Sequence, residues 1–440
     1  MSTAAENPGA RTHGTPVTAQ DRSRARRAVV ASSIGNALEW FDVIVYSSFA
    51  VVISALFFEP AGSEGGQVLG ILLTFGTFGV SYLIRPLGAM VLGSYADRHG
   101  RKGALTLTIL LMMLGTLIMA TAPTTAVLGP AAALVILVAR LIQGFSAGGE
   151  FGTATAFLIE NAPDRKAFYG SWQVATQGVA MFLASGFGFT LNTFLSHEAL
   201  YSWGWRVPFF VGLLIGPVGL YIRLRMEETP DFQQARGEQV KSPLGATLIH
   251  AAPRWLTSAA VVGLASVSVY LILFMPTYAV QNLHLPGYAG YLGGIISGIV
   301  TLIGAPLVGK LADRVGPARV MTVAAVAAVV VAYPLFVILV ASPGVGMLTA
   351  VQVVLGALMA LYFGPLPALL SEMFPTNIRT TGMSIAYNVG VTLFGGFAPL
   401  VLAWLVNSTG SLLAPSYYYI AIALISLLGL VVTRTKFGKR

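Results

Sequence analysis

The chain has 440 residues, 55% hydrophobic and only 10% charged, with a mean hydropathy of +0.76. A soluble domain carries about 25% charged residues, so this composition excludes an ordinary water-soluble protein and makes the bilayer the solvent. The net charge of +9 fits basic loops at a membrane surface rather than a nucleic-acid partner, and the lack of cysteine excludes disulfides and thiolate chemistry.

Residues 1–27 form a polar, basic tail that reads as disordered. The apolar segment behind it is too long for a signal peptide and carries Glu39 and Asp42, so it reads as a retained first span. Apolar stretches long enough to cross a bilayer follow in order. We place spans at 28–58, 67–92, 104–122, 131–159, 167–194, 205–225, 254–281, 288–309, 319–341, 347–371, 380–406 and 413–433. Helix is expected throughout, because each backbone amide must be satisfied inside its own span. The expectation is an all-α integral membrane protein of 12 transmembrane helices. A six-helix bundle at 28–225 and another at 254–433 are joined by a polar linker at 226–253, with a short tail at 434–440.

Basic residues collect on one side of these spans. The loops on the N-terminal side hold Arg98, Arg101, Lys102, Arg165, Lys166, Arg314, Arg319 and Arg379, and the opposite loops hold almost none. Both termini are therefore expected to be cytoplasmic.

The two halves repeat each other. Gly93-Ser94-Tyr95-Ala96-Asp97-Arg98-His99-Gly100-Arg101-Lys102 and Gly309-Lys310-Leu311-Ala312-Asp313-Arg314-Val315-Gly316 lie 216 residues apart. At an offset of 212, Glu160, Pro163 and Gly170 match Glu372, Pro375 and Gly382, and Gly144 matches Gly356. Duplication in identically placed segments predicts two pseudo-symmetric bundles with a pathway between them, the architecture of a transporter.

With these motifs placed, the chain resembles the major facilitator superfamily. More narrowly, it resembles the metabolite:proton symporters. Gly35-Asn36-Ala37-Leu38-Glu39-Trp40-Phe41-Asp42, Arg85-Pro86-Leu87-Gly88, the run Arg140 to Glu150, Trp203 to Phe210 and Phe374 to Arg379 carry that likeness. Phe168 to Gln173, Pro276-Thr277-Tyr278 and Phe394-Gly395-Gly396 are most similar to citrate and tricarballylate symporters. The second motif departs from the superfamily pattern after Gly316, where Pro317-Ala318-Arg319 replaces a basic run. The resemblance implies that Gly93, Asp97, Arg98, Gly100, Arg101, Lys102, Glu160 and Arg165, with Asp313, Arg314, Glu372 and Arg379, belong to gating networks that latch the halves.

Ionisable residues deep in a span are costly and mark function. Here they are Glu39, Asp42, Arg85, Arg140 and Glu150, all in the first half. Asn36, Glu39, Asp42 and Tyr46 share a helical face. Two carboxylates so close in a dry site imply that one shares a proton or meets an arginine. Asp42, Glu39 and Glu150 are the candidate proton carriers, since all five histidines fall in tails, loops or span ends. Arg140, with Gln143 one turn on, is the candidate anchor for a carboxylate and is expected to pair with Asp42 in the empty site. Arg85 is a second candidate. Gln173, Gln177, Tyr270, Tyr278, Tyr387 and Asn388 are expected to line the rest of a pocket, although the plainer reading of the aromatics is packing.

These readings predict proton-coupled symport of a small organic acid, a di- or tricarboxylate such as citrate, by alternating access. Alternatives are a zwitterionic osmolyte such as betaine or proline, or another acid such as shikimate or 2-oxoglutarate. The sequence has no metal-ligand cluster, no nucleophile with its base and no phosphate-binding loop, so neither enzyme nor cofactor is expected. The partners expected are substrate, protons and lipid, around a monomer in a bacterial inner membrane.

Overall fold

The computed structural model describes residues 36–59, 66–99, 101–160, 163–225, 251–374 and 379–439. The N-terminal tail and most of the linker 226–253 lie outside them. Among the described residues every regular element is a helix. Ten helical segments are long and apolar enough to cross a membrane: Gly66–Leu92, Ala131–Gly152, Lys166–Phe194, Gly204–Tyr221, Ala252–Gln281, Ala289–Val315, Pro317–Ala341, Val345–Met373, Thr381–Thr409 and Ala414–Phe437. An eleventh is a bent pair, Asn36–Ser48 with Ala50–Phe57. The third expected span lies in the helix Arg101–Thr121, whose apolar part, Thr106–Thr121, is shorter than the rest. We number these spans 1 to 12 in chain order.

Several spans break where the sequence weakens the helix. Span 1 bends by 65° at Phe49. No proline causes this; the Tyr291 hydroxyl from span 8 donates to the Ser48 carbonyl at the bend, 2.6 Å away. Span 2 breaks at Ile84, ahead of Pro86, into Gly66–Leu83 and Arg85–His99. Span 4 breaks at Gly148-Gly149 and span 10 at Gly364-Pro365, so each half interrupts its fourth helix. Span 11 carries a π-helical turn at Val391–Gly396. Span 8 runs on to Val315, past the expected end at 309, so Asp313 and Arg314 sit on its last turn rather than in a loop.

The fold buries its middle and turns apolar side chains outward. In span 7, 94% of the apolar stretch is buried, whereas Leu307, Val323 and Leu428 lie 63%, 65% and 67% exposed. A surface of that kind suits hydrocarbon. The halves meet most closely where spans 5 and 8 cross. A Cβ placed on Gly178 would lie 2.6 Å from the Gly298 carbonyl oxygen, so only hydrogen fits there.

Candidate functional site

Span 1 carries Glu39 and Asp42 into the first half with different neighbours. Glu39 faces span 2, where its Oε1 lies 3.3 Å from Arg85 Nη2. The Arg85 guanidinium also stacks 4.0 Å above the Tyr82 ring. Of the two carboxylates, Glu39 is therefore the one that meets an arginine.

Asp42 faces spans 3 and 4. Its Oδ2 is bonded to the Thr116 hydroxyl and accepts from Gln143 Nε2 at 3.2 Å. Gln143 Oε1 accepts from Arg140 Nη1 at 2.8 Å. The direct Asp42–Arg140 pair expected from the sequence does not form; the Gln143 amide stands between them. The reason is helical. Arg140 and Gln143 are three apart on span 4, so they share a face, and the shorter side chain fills the gap to Asp42.

Among the described residues, Arg140 is thereby left without an acid in ion-pair contact. It is 2% exposed, and its Nε has no hydrogen-bond partner. Its charge rests on two rings, with Tyr46 4.5 Å and Phe78 5.1 Å from the guanidinium carbon. Tyr46 itself donates to the Thr74 carbonyl at 3.0 Å.

A cluster of rings fills the seam between the halves at this level. The Tyr82 and Tyr270 hydroxyls hydrogen-bond across it. Phe78 and Trp40 pack on Tyr270 with centroids 5.7 Å and 6.3 Å away. No role is read from the sequence for Tyr82, Phe78 and Thr116, and Trp40 enters only within the motif Gly35 to Asp42. The signal for Tyr82 and Phe78 is the stripe Thr74, Phe78, Tyr82, spaced four apart on span 2.

The remaining candidates divide. Gln173 accepts from Thr155 at 2.6 Å, and its carbonyl accepts from Asn36 at 2.8 Å, so it ties spans 1 and 5 to the helix Glu150–Glu160 that continues span 4. Gln177 is buried with neither end of its amide partnered among the described residues. Tyr278 is turned away from the charges. Its hydroxyl donates to the Leu412 carbonyl at 2.6 Å and its ring packs on Phe336, which places it in the interior of the second half. Tyr387 stacks flat on Phe151 at 3.4 Å, and Asn388 donates to the Gly148 carbonyl at 3.1 Å, both across the seam. Glu150 is buried in span 4 near Asp42.

Seam contacts lie on both sides of the buried charges. On one side Tyr291 holds Ser48; on the other are the Phe151–Tyr387 stack and Asp313. Asp313 accepts from the Ala167 and Phe168 amides at 2.8 Å and 3.1 Å, capping the start of span 5 from the opposite half. Arg165 lies within electrostatic reach of Asp313, and Lys166 within reach of Glu372. Arg314 is exposed. Gly100 lies outside the described residues, as do the side-chain surroundings of Gly93, Asp97, Arg98, Arg101, Lys102, Glu160 and Arg379.

Comparison with known proteins agrees with this architecture. The family model of the Major Facilitator Superfamily matches residues 33–389 and 296–439. The chain is 35% identical over 425 residues to a proline/betaine transporter of Salmonella typhimurium, covering 94% of this chain and 84% of that protein. It is 34% identical over 403 residues to a citrate-proton symporter of Klebsiella pneumoniae, covering 91% and 90%. A citrate-proton symporter of Salmonella typhi is 35% identical over 418 residues, covering 94% of each. Among solved structures, a proton:xylose symporter superposes with a TM-score of 0.75 at 17% identity, covering 94% of this chain and 96% of that one. The chain belongs to the major facilitator superfamily and is a membrane transporter rather than an enzyme.

Proposed function

We propose that this transporter carries a small organic anion together with protons, by alternating access between its two halves. The observation that carries the reading is Arg140: a permanent charge, buried, resting on aromatic faces, with no carboxylate in ion-pair contact among the described residues. Guanidinium cannot shed its proton to escape that environment, so a carboxylate cargo is its natural partner. Relatives named for citrate-proton symport support proton coupling.

The coupling follows from the amide relay. With the site empty, Arg140 fixes Gln143, and Gln143 with Thr116 supports the Asp42 carboxylate. A substrate carboxylate that takes Arg140 frees the Gln143 amide and removes the positive field from Asp42. Proton binding at Asp42 then becomes easier, and the loaded site carries less net charge across the membrane. The coupling is reciprocal: the proton also favours the anion.

The aromatic cluster supports a second reading. Trp40, Phe78, Tyr82 and Tyr270 present π-faces that suit a quaternary or secondary ammonium. A betaine or proline would then place its carboxylate on Arg140, as relatives named for those solutes suggest. Uptake into proteoliposomes under an imposed pH gradient, with citrate, 2-oxoglutarate, shikimate, betaine and proline, separates the readings. Accumulation of none of these carboxylate solutes ends both. We further place both termini in the cytoplasm, from the charge bias of the loops, and the protein in a bacterial inner membrane, as its bacterial relatives suggest; we read it as a monomer.

A further inference from the structure

The cavity nearest the carboxylates is not between the halves. It lies inside the first half, between spans 1, 3, 4 and 6, with a volume of about 20 Å³, enough for one water. Glu39, Asp42 and Glu150 all line it, with Thr108 and Thr116 of span 3 and Gly212 of span 6. Asp42 is 4% exposed, and its Oδ1, unlike Oδ2, has no hydrogen-bond partner among the described residues. A Cβ placed on Gly212 would lie 3.1 Å from that oxygen. One helical turn on, Gly216 lines the same chamber, where a Cβ would lie 2.8 Å from the Met113 side chain.

We propose that this chamber is the proton's port to Asp42, separate from the substrate's anchor, and that Gly212 keeps it open. The idea rests on the proton-coupled reading above and assigns a role within it. The two oxygens of one carboxylate then do different work. Oδ2 faces Thr116 and the Gln143–Arg140 relay, which report the substrate. Oδ1 faces a space that a hydronium can enter. The step moves one proton from that hydronium to Oδ1, leaving a neutral carboxylic acid and a water. The groups around it suit a proton rather than a metal ion. Arg140 acts through Gln143 from span 4, Glu150 approaches from the same span, and Glu39 is paired with Arg85. Spans 3 and 6 bring only hydroxyls, thioethers and glycine to the chamber wall, besides aliphatic side chains.

Infrared spectroscopy reads the port without any substrate. At acidic pH, the carboxylic C=O band that Asp42→Asn removes is followed after transfer into D2O. We expect the wild-type band to downshift within the mixing time and the Gly212→Ala band at least tenfold more slowly. Gly216→Ala narrows the chamber against the flexible Met113 side chain and is the second variant, expected to slow exchange by a smaller factor. In proteoliposomes, Gly212→Ala should retain counterflow of citrate or betaine, whichever the wild type accumulates, while losing at least tenfold in accumulation driven by the pH gradient. Equal exchange rates in wild type and both folded variants would overturn the port. A wild type that accumulates none of the solutes would instead defeat the symport reading, leaving the infrared result to judge the chamber by itself.

Discussion

The hydroxyl of Tyr82 meets that of Tyr270 across the seam between the halves, with the rings edge to face at 5.8 Å. One tyrosine belongs to span 2 and the other to span 7, so this contact must break whenever the halves part. Both residues are fully buried. Replacing either by phenylalanine strands the other hydroxyl, at a cost of about 1–3 kcal/mol. Replacing both removes the stranded group. We therefore expect Tyr82→Phe and Tyr270→Phe each to lower the unfolding temperature of the purified protein, and the double variant to lower it by less than their sum. Strict additivity in thermal unfolding would show that the pair is not coupled.

Arg140→Lys tests the proposed anchor. Lysine keeps the charge but loses the planar fork and its stacking on Tyr46 and Phe78. Losing a charge-assisted hydrogen bond costs about 1.5–3 kcal/mol, which is roughly 10- to 150-fold in affinity. Calorimetric titration with the accumulated solute should show this loss while thermal stability changes little. Wild-type affinity in the folded lysine variant is the outcome incompatible with an anchoring role.

Asp42→Asn keeps the shape and an acceptor oxygen for Thr116 and Gln143, but cannot take up a proton. Accumulation driven by a pH gradient should fall to the level of passive equilibration, while counterflow of preloaded solute persists. The measurement is a pair of proteoliposome assays on one preparation. Gradient-driven accumulation surviving in this variant would move the proton to Glu39 or Glu150.

How much of this was readable from the chain depends on the distance over which each feature is decided. Hydropathy and the duplicated motifs announce the bundle, because span length and loop charge are local properties. The buried charges Glu39, Asp42, Arg85 and Arg140 stand out for the same reason. Their partners do not. Whether Arg140 meets Asp42 directly or through Gln143 depends on the rotation and depth of span 4 against span 1, which no local pattern encodes. Tyr278 shares a stripe with Tyr270, yet two turns later the stripe has rotated into the second half, where the Leu412 carbonyl captures it. The Ser48 carbonyl at the bend is held by Tyr291, more than 240 residues away.

The crossing of spans 5 and 8 predicts a contrast between two glycines of one helix. A Cβ at Gly178 would press on backbone atoms of Gly298 and Leu302, whereas a Cβ at Gly186 meets nothing within 4 Å. Gly178→Ala should destabilise the protein by about 1–3 kcal/mol through overpacking and reduce uptake. Gly186→Ala should be neutral or slightly stabilising, since alanine suits a helix better. Thermal unfolding and uptake of the two variants side by side decide it. Equal behaviour of the pair would mean that the seam yields, and that close backbone contact there is not what holds the halves together.

The latch we propose at the start of span 5 gives the last test. Asp313 reaches across from span 8 to cap the amides of Ala167 and Phe168. Removing such a cap costs about 0.5–2 kcal/mol, and here the cost falls on the state in which this side is closed. Asp313→Ala should therefore shift the halves toward opening on that side by roughly 2- to 30-fold. The natural chain has no cysteine, so a single Ser384→Cys in span 11, one turn from Asn388, reports accessibility against a silent background. Its labelling rate by a membrane-impermeant maleimide should rise by that factor when Asp313→Ala is added. An unchanged rate would assign Asp313 to the local stability of span 5 rather than to the latch.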